Sequence, residues 1–219
     1  MSTFEEFLKL RETVLTMLEK RGFNPEYLNR NVSNKAIEEQ YNSSIDKEYV
    51  CDIFVKKPDD NPEDKYENRQ AYIHFVFNNK KTKATFGSIT KSLKKLIAIY
   101  NLLPIDDIAV VIISTDNMDE NSDFYKLEKN IDNVVVFHYK NLMFDITKHH
   151  LVPPHIKIKS ETEQRELKKN LQIESLNKLP VILRTDAVAR FYHYRKGNII
   201  KIERPSIGNM KHIVYRVVV

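Results

Sequence analysis

Cysteine is nearly absent from this chain: Cys51 is the one thiol in 219 residues. A single cysteine allows no intramolecular disulfide, which fits a reducing, intracellular compartment. Cys51 also stands in an apolar, strand-like run, where a thiol is ordinarily inert packing rather than a nucleophile. Glycine is scarce, with 4 residues, which excludes Gly-rich phosphate loops. Neither a Walker-type loop nor a Gly-x-Ser-x-Gly elbow occurs. No apolar run approaches the length of a membrane span, so no membrane partner is expected. The opening segment MSTFEEFLKLRE is charged throughout and predicts no secretory signal.

Against these absences stand 42% hydrophobic residues, 30% charged residues, 11 Tyr and 11 Phe. That balance is too apolar and too aromatic for a disordered chain, and the length suffices for a core without staples. It accommodates one large domain or two small ones. The formal net charge of +5 invites a nucleic-acid reading, but it is unevenly placed. Residues 1–145 carry 20 Lys and Arg against 24 Asp and Glu, a net of −4. Residues 146–219 carry 15 against 6, a net of +9. The asymmetry itself predicts two domains.

Hydrophobic spacing predicts the elements. Phe4, Phe7, Leu8, Leu15 and Leu18 recur at helical steps after a cap at Ser2 or Thr3, and Gly22 suits the stop. A second helix is expected from Pro25 through Ile37 to Tyr41. Strands are expected over 49–55 and 71–77, joined by an acidic, aliphatic-free loop over 56–70. A helix over 89–100, a doubly buried strand over 108–113, a short helix over 122–129 and a second buried strand over 134–137 predict a partly parallel sheet. Leu151 to His155 reads as rigid extended chain because of Pro153 and Pro154. Ser160 to Glu163 forms a capping box for a helix carrying Leu167 and Leu171, and Leu179-Pro180 breaks the helical pattern. Asp186 caps a helix over 187–192. Gly197 turns the chain into a strand over 198–203 ended by Pro205, and a final strand covers 212–219.

Three constellations bear on chemistry. A metal-dependent nuclease needs an Asp on one strand and Glu-x-Lys on the next, with two carboxylates for the metal and a Lys for the attacking water. Asp52 is placed for the first role, but the following strand offers Tyr72-Ile73-His74-Phe75, without the second carboxylate. The plainer reading makes Asp52 a strand-edge polar residue. His149, His150 and His155 could together bind zinc, but their spacing fits no common site and surface histidines are the default. In the basic last third, Arg184, Arg190, Arg195, Lys196, Lys201 and Arg204 interleave with Phe191, Tyr192 and Tyr194. That mixture serves single-strand nucleic-acid binding, a core with a solvated charged face, or a protein interface.

One set of residues resembles a known family. It comprises Val152-Pro153-Pro154-His155, Leu179-Pro180, Thr185-Asp186-Ala187-Val188-Ala189-Arg190-Phe191-Tyr192, Lys196-Gly197, Ile200-Lys201-Ile202, Arg204-Pro205-Ser206 and Tyr215-Arg216. The spacing from Leu179 to Tyr215 is kept without a gap. These residues are similar to the C-terminal domain of the fifth subunit shared by eukaryotic nuclear RNA polymerases, a domain that archaeal RNA polymerases carry as a small separate polypeptide. Upstream, Phe86-Gly87-Ser88-Ile89-Thr90-Lys91 resembles a segment of the same family's jaw domain. Ala187 and His193 depart from the family's usual Pro and Gly. The family's Thr-Pro-Ser-Ala stretch is replaced by Ser114-Thr115-Asp116-Asn117-Met118-Asp119-Glu120, whose acids would repel phosphates.

The resemblance implies an α/β to α+β fold in two parts. Residues 1–145 would form an N-terminal jaw of helices and a mixed sheet of inactive, nuclease-like type. Residues 146–219 would form a small α+β assembly domain. It further implies a non-catalytic subunit of a DNA-directed RNA polymerase, docked on the largest subunit and neighbouring subunits, with its jaw near downstream double-stranded DNA. No cofactor, catalytic residue or metal site is expected. Arg190, Arg204, Tyr215, Arg216 and His155 are the expected partner contacts, while Pro180, Asp186, Gly197 and Pro205 set the local fold. Asn, Lys and Ile total 66 of 219 residues, a bias suited to an AT-rich genome, either a divergent eukaryote or a large DNA virus. The location implied is the nucleus in the first case, or host cytoplasm and virion in the second. The alternatives are a stand-alone DNA-binding or nuclease-like protein and an interaction adaptor.

Overall fold

The computed structural model describes residues 3–23, 33–44, 52–56, 70–76, 91, 94, 108–115, 122–205 and 211–219. They fall into two compact units, one closing at Phe144 and the other opening at Asp145. Several expectations lie outside the described residues: Cys51, the acidic loop over 57–69, the matched segment 86–90, Pro104 and the replaced stretch 116–120. Of the helix expected over 89–100, Lys91 and Lys94 are described, and both are helical and exposed.

The first unit begins with α1 (Phe4–Lys20). Thr3 is its cap, accepting from the Glu6 N–H at 3.3 Å, which satisfies one of the orphan amides of the first turn. Gly22 follows at φ 90. There its N–H reaches the Glu19 carbonyl at 2.9 Å and the Phe23 N–H reaches Leu18 at 3.1 Å. This left-handed stop is one that glycine adopts without a Cβ clash. α1 buries Phe7, Leu10, Val14, Leu15, Met17 and Leu18, an arc wider than one face, so it has neighbours on more than one side. The helix α2 (Asn34–Ser44) supplies Tyr41, which stacks on Phe7 with ring centroids 5.0 Å apart.

The sheet of this unit runs β1 (Ile53–Lys56), β2 (Gln70–Val76), β3 (Ile108–Ser114), β4 (Val134–His138), in that spatial order. β1 pairs antiparallel with β2, while β2–β3 and β3–β4 are parallel. β3 is buried along its whole length, as an uninterrupted apolar run predicts. Alternation sends Ile73 and Phe75 to one face, where Phe75 meets Phe7 of α1 edge-on at 5.4 Å. Tyr72, Val110, Ile112, Val134 and Val136 face the other way. They pack with Phe124 and Leu127 of α3 (Asp123–Asn130), a helix capped by Ser122. Glu128 of α3 also accepts from the Val136 N–H at 3.3 Å, covering the free edge of β4 with a side chain.

The second unit holds a sheet in the order β5 (His155–Ile158), β7 (Ile199–Pro205), β8 (Lys211–Val218), β6 (Val181–Ile182). The β7–β8 hairpin is its spine; β5 joins β7 antiparallel and β6 joins β8 parallel. On one face α4 (Glu161–Asn170) packs Leu167 on Ile158, Ile199 and Val217. On the other, α5 (Ala187–Tyr192) contributes Ala189, which with Tyr194 packs on Ile182, Ile200, Ile202 and Val218. Both units are thus α+β, each a mixed sheet with helices on both faces.

Several details differ from the sequence expectation. β1 begins at Ile53, so Asp52 lies just outside it rather than within it. Leu171 is exposed at the end of α4, leaving Leu167 as the only side chain this helix buries. Ser160 caps α4 through the Thr162 N–H at 3.2 Å, one position earlier than a capping box requires. β5 and β6 were unexpected as strands. The proline-rich entry masks β5, and β6 is two residues long and exists by virtue of its partner.

Candidate functional site

The first unit brings Asp52 against the two positions where a nuclease strand would carry Glu-x-Lys. They hold Tyr72 and His74, which share one face of β2. His74 Nδ1 lies 3.0 Å from one Asp52 oxygen and 3.1 Å from the other. The Phe75 N–H donates to the same carboxylate at 3.0 Å, and the Tyr72 hydroxyl also donates to it. The side chains of His74 and Asp52 are only 10% and 8% exposed. Three donors converge on one buried carboxylate, so its lone pairs are taken up by the protein. His74 uses Nδ1 as its donor, which fixes the ring's orientation. The group ties the start of β1 to β2. The sequence reading preferred Asp52 as a strand-edge polar residue; its partners 20 and 22 positions downstream show it as a joint between strands.

The histidines of the second unit separate. His149 and His150 stack with ring centroids 4.6 Å apart, while His155 turns away and donates from Nδ1 to the Pro153 carbonyl at 2.6 Å. Among the described residues, no three His, Cys, Asp or Glu side chains are grouped as a metal would need. His155 is held from its main chain as well, its carbonyl accepting from the Tyr194 hydroxyl at 3.1 Å. Burial lowers its imidazole below the ordinary value of 6.5. The Pro153 hydrogen bond and Asp186 work against that shift, and Arg204 and Arg216 add to it.

Asp186, Pro180, Gly197 and Pro205 each stand at a turn or at the end of an element. Asp186 accepts from the Val188 N–H at 2.9 Å and the Ala189 N–H at 3.2 Å, capping α5. The Pro180 carbonyl accepts from Val217 at 2.9 Å, which seats β6 on β8. Gly197 takes φ 86, and a Cβ there would meet nothing within 4 Å, so its requirement is conformational. Pro205 is the last residue of β7, two beyond the expected end of that strand. His193 stands at φ 57, ψ 44 after α5. Its N–H reaches the Arg190 carbonyl at 3.1 Å and the Tyr194 N–H reaches Ala189 at 2.9 Å. This is the left-handed stop where the resembling family carries Gly.

The expected contact residues divide between the two faces of the sheet. Strand alternation puts Arg204 and Arg216 on the α5 side, with Ile200 opposite Arg216 and His212 opposite Arg204. His155, opposite Ile202, shares that side, and Arg190 lies on α5 itself. Arg216 Nη1 donates to the Val181 carbonyl at 3.0 Å, so this guanidinium also closes the free edge of β6. Tyr215 faces the other way and packs against the Leu167, Ile199 and Val217 cluster. On that second side Lys201 is paired with Glu203 at 2.8 Å, and the contact holds the lysine above its ordinary pKa.

Known proteins are similar to this chain in sequence. The family described as RNA polymerase Rpb5, C-terminal domain, matches residues 144–218, nearly the whole second unit. The subunit RPABC1 of DNA-directed RNA polymerases I, II, and III from Caenorhabditis briggsae is 41% identical over 78 residues, 36% of each chain. The subunit 5A of DNA-directed RNA polymerase V from Arabidopsis thaliana is 28% identical over 152 residues, 68% of each chain. The subunit rpabc1 of RNA polymerases I, II, and III from Dictyostelium discoideum is 30% identical over 223 residues, 100% of each chain. The family match falls on the second unit, the Arabidopsis relative reaches beyond it, and the Dictyostelium relative extends the likeness over the whole chain. On that full-length match, the chain belongs to the family of the fifth subunit shared by RNA polymerases I, II and III.

Proposed function

We propose that the protein is a non-catalytic subunit of a multisubunit DNA-directed RNA polymerase, acting in transcription through assembly. The observation that carries this reading is the full-length match to a shared polymerase subunit, 30% identical over both units. In this reading the second unit, residues 145–219, docks on the largest subunit and its neighbours. The first unit forms part of the jaw around downstream DNA. Its mixed sheet, with Asp52 just ahead of β1, supports reading this unit as the inactive nuclease-like sheet that the resemblance implies. The carboxylate engaged by Tyr72, His74 and the Phe75 amide supports a structural use of that outline. The formal charges of −4 and +9 on the two parts favour protein docking by the second unit over phosphate binding by the first. Nucleotidyl transfer belongs to other subunits in this scheme. The compartment follows from that role: the nucleus of a eukaryotic cell, or the host cytoplasm and virion for a virally encoded polymerase.

The rival reading is a stand-alone DNA-binding or DNA-cutting protein. Purification of the tagged full chain from its own cells distinguishes the two. The polymerase reading expects the two largest subunits in the eluate, identified by mass spectrometry. An eluate without them, together with magnesium- or manganese-dependent DNA cutting that Asp52→Ala abolishes, would establish the rival.

A further inference from the structure

The chain from Tyr139 to Pro154 joins β4 to β5 and contains neither strand nor α-helix. Two 3-10 turns, Tyr139–Leu142 and Ile146–Lys148, are its regular pieces. A long connection without helix or strand must satisfy its backbone groups by other means. Here titratable side chains do so, each reaching main chain two positions away. His138 Nδ1 accepts from the Lys140 N–H at 3.3 Å. Asp145 accepts from the Thr147 N–H at 2.9 Å and from the Thr147 hydroxyl at 2.6 Å. His149 Nδ1 accepts from the Leu151 N–H at 3.3 Å. His155 closes the series in the opposite sense, its Nδ1 donating to the Pro153 carbonyl at 2.6 Å.

These clasps respond differently to protons. A ring nitrogen accepts only while it carries no hydrogen, so His138 and His149 must be neutral, with the hydrogen on Nε2. Protonation turns each Nδ1 into a donor aimed at another donor, and the clasp is lost. Imidazole is the side chain that makes this change between about pH 5 and 8. His155 keeps its Nδ1–H in both charge states, so its bond to Pro153 survives. Carboxyl groups ionise well below imidazoles, so the Asp145 clasp outlasts those of the histidines.

The surroundings sharpen the contrast. His150 stacks on His149 with ring centroids 4.6 Å apart, so a proton on each sets like charges face to face. Lys148 precedes this pair, and all three side chains are exposed. The His138 ring lies 4.9 Å from that of Tyr139, and Ser114 stands opposite on β3. Asp145 acts on Tyr192 of α5, which also bonds to Thr147. Asp186, Arg204 and Arg216 act on His155.

We infer that the chain from His138 to Leu151 is a proton-sensitive strap, in which neutral His138 and His149 hold the turns closed and acidification to about pH 5.5 releases both. The inference goes beyond assembly and does not depend on the polymerase reading. Leu142 stays buried and Asp145 stays engaged, so release is confined to residues 138–140 and 149–151. Loss of one such hydrogen bond shifts the local opening equilibrium about threefold to tenfold.

NMR of the nitrogen-15-labelled full chain tests it, reading histidine ring tautomers and amide shifts from about pH 7.5 down to about pH 5.5. At the upper end His138 and His149 should show the Nε2–H tautomer and His155 the Nδ1–H tautomer. On acidification the Lys140 and Leu151 amide protons should shift upfield, each with the midpoint of its own ring partner, while the Thr147 amide holds. The double variant His138→Asn, His149→Asn keeps an acceptor for each amide that does not titrate. In it the Lys140 and Leu151 shifts should become independent of pH over this range. The Nδ1–H tautomer at His138 or His149 overturns the inference, as do amide shifts that titrate equally in the Asn variant. Amides that stay fixed in the natural sequence while both rings titrate also overturn it, because the rings would then close nothing.

Discussion

His193 carries a backbone conformation that a side chain resists. At φ 57, ψ 44 an L-residue other than Gly is strained by about 1–2 kcal/mol, and Asn or Gly would ordinarily stand here. His193→Gly should therefore raise the stability of the second unit by roughly 1 kcal/mol, read as a higher urea midpoint. A lower midpoint would show that the imidazole's own contacts outweigh the strain. His155 offers a test by pH. Burial disfavours its imidazolium, so its folded value lies below the 6.5 of a free imidazole. Between those two values the unfolded chain binds more protons, so stability rises with pH through that window and is lost as pH falls. Acidification below about 6.5 should lower the midpoint, and His155→Gln should flatten that part of the slope. An unchanged slope would mean the ring is protonated at no cost in the fold. Asp52 is the third residue of this kind. Asp52→Ala strands the Phe75 amide and the Tyr72 and His74 donors together, a loss of about 3 kcal/mol in the first unit. A change under about 1 kcal/mol would contradict its description as a joint.

At the scale of elements, legibility followed the length of the apolar pattern. α1, β3 and β4 were readable because each repeats its period over several residues with nothing competing. β5 was not, since Pro153 and Pro154 announce extended chain without saying whether it pairs. β6 could not be, because two residues have no period and their strand character comes from Val217 and Val218 opposite. Asp52 read as a strand-edge polar residue, and its place at the edge of β1 agrees, but its hydrogen bonds across more than 20 positions are invisible to local spacing. The division of Tyr215 from Arg216 was legible in principle: adjacent residues of a strand point to opposite faces. α4 shows how thin an element's attachment can be. Leu167 is the only residue it buries, so Leu167→Ala should cost about 2–3 kcal/mol. Hydrogen exchange should then rise across residues 161–170 while the β7–β8 hairpin stays protected. Equal loosening of hairpin and helix would contradict this local view.

For the whole molecule, composition pointed first in the wrong direction. A net charge of +5 suggests nucleic acid until it is divided, when the first 145 residues prove acidic and the remainder carries +9. The structure divides that excess again, between a face where Lys201 and Glu203 cancel and a face where Arg204 and Arg216 do not. Family membership and this second division converge on one expectation, that the chain works as a part held by protein contacts. The most direct measurement is the mass and stoichiometry of the native complex, by gel filtration of the tagged full chain from its own cells followed by quantitative mass spectrometry. The account predicts that the chain elutes with the two largest polymerase subunits at one copy each. Elution alone at its own 25.9 kDa, free of polymerase subunits, would contradict it.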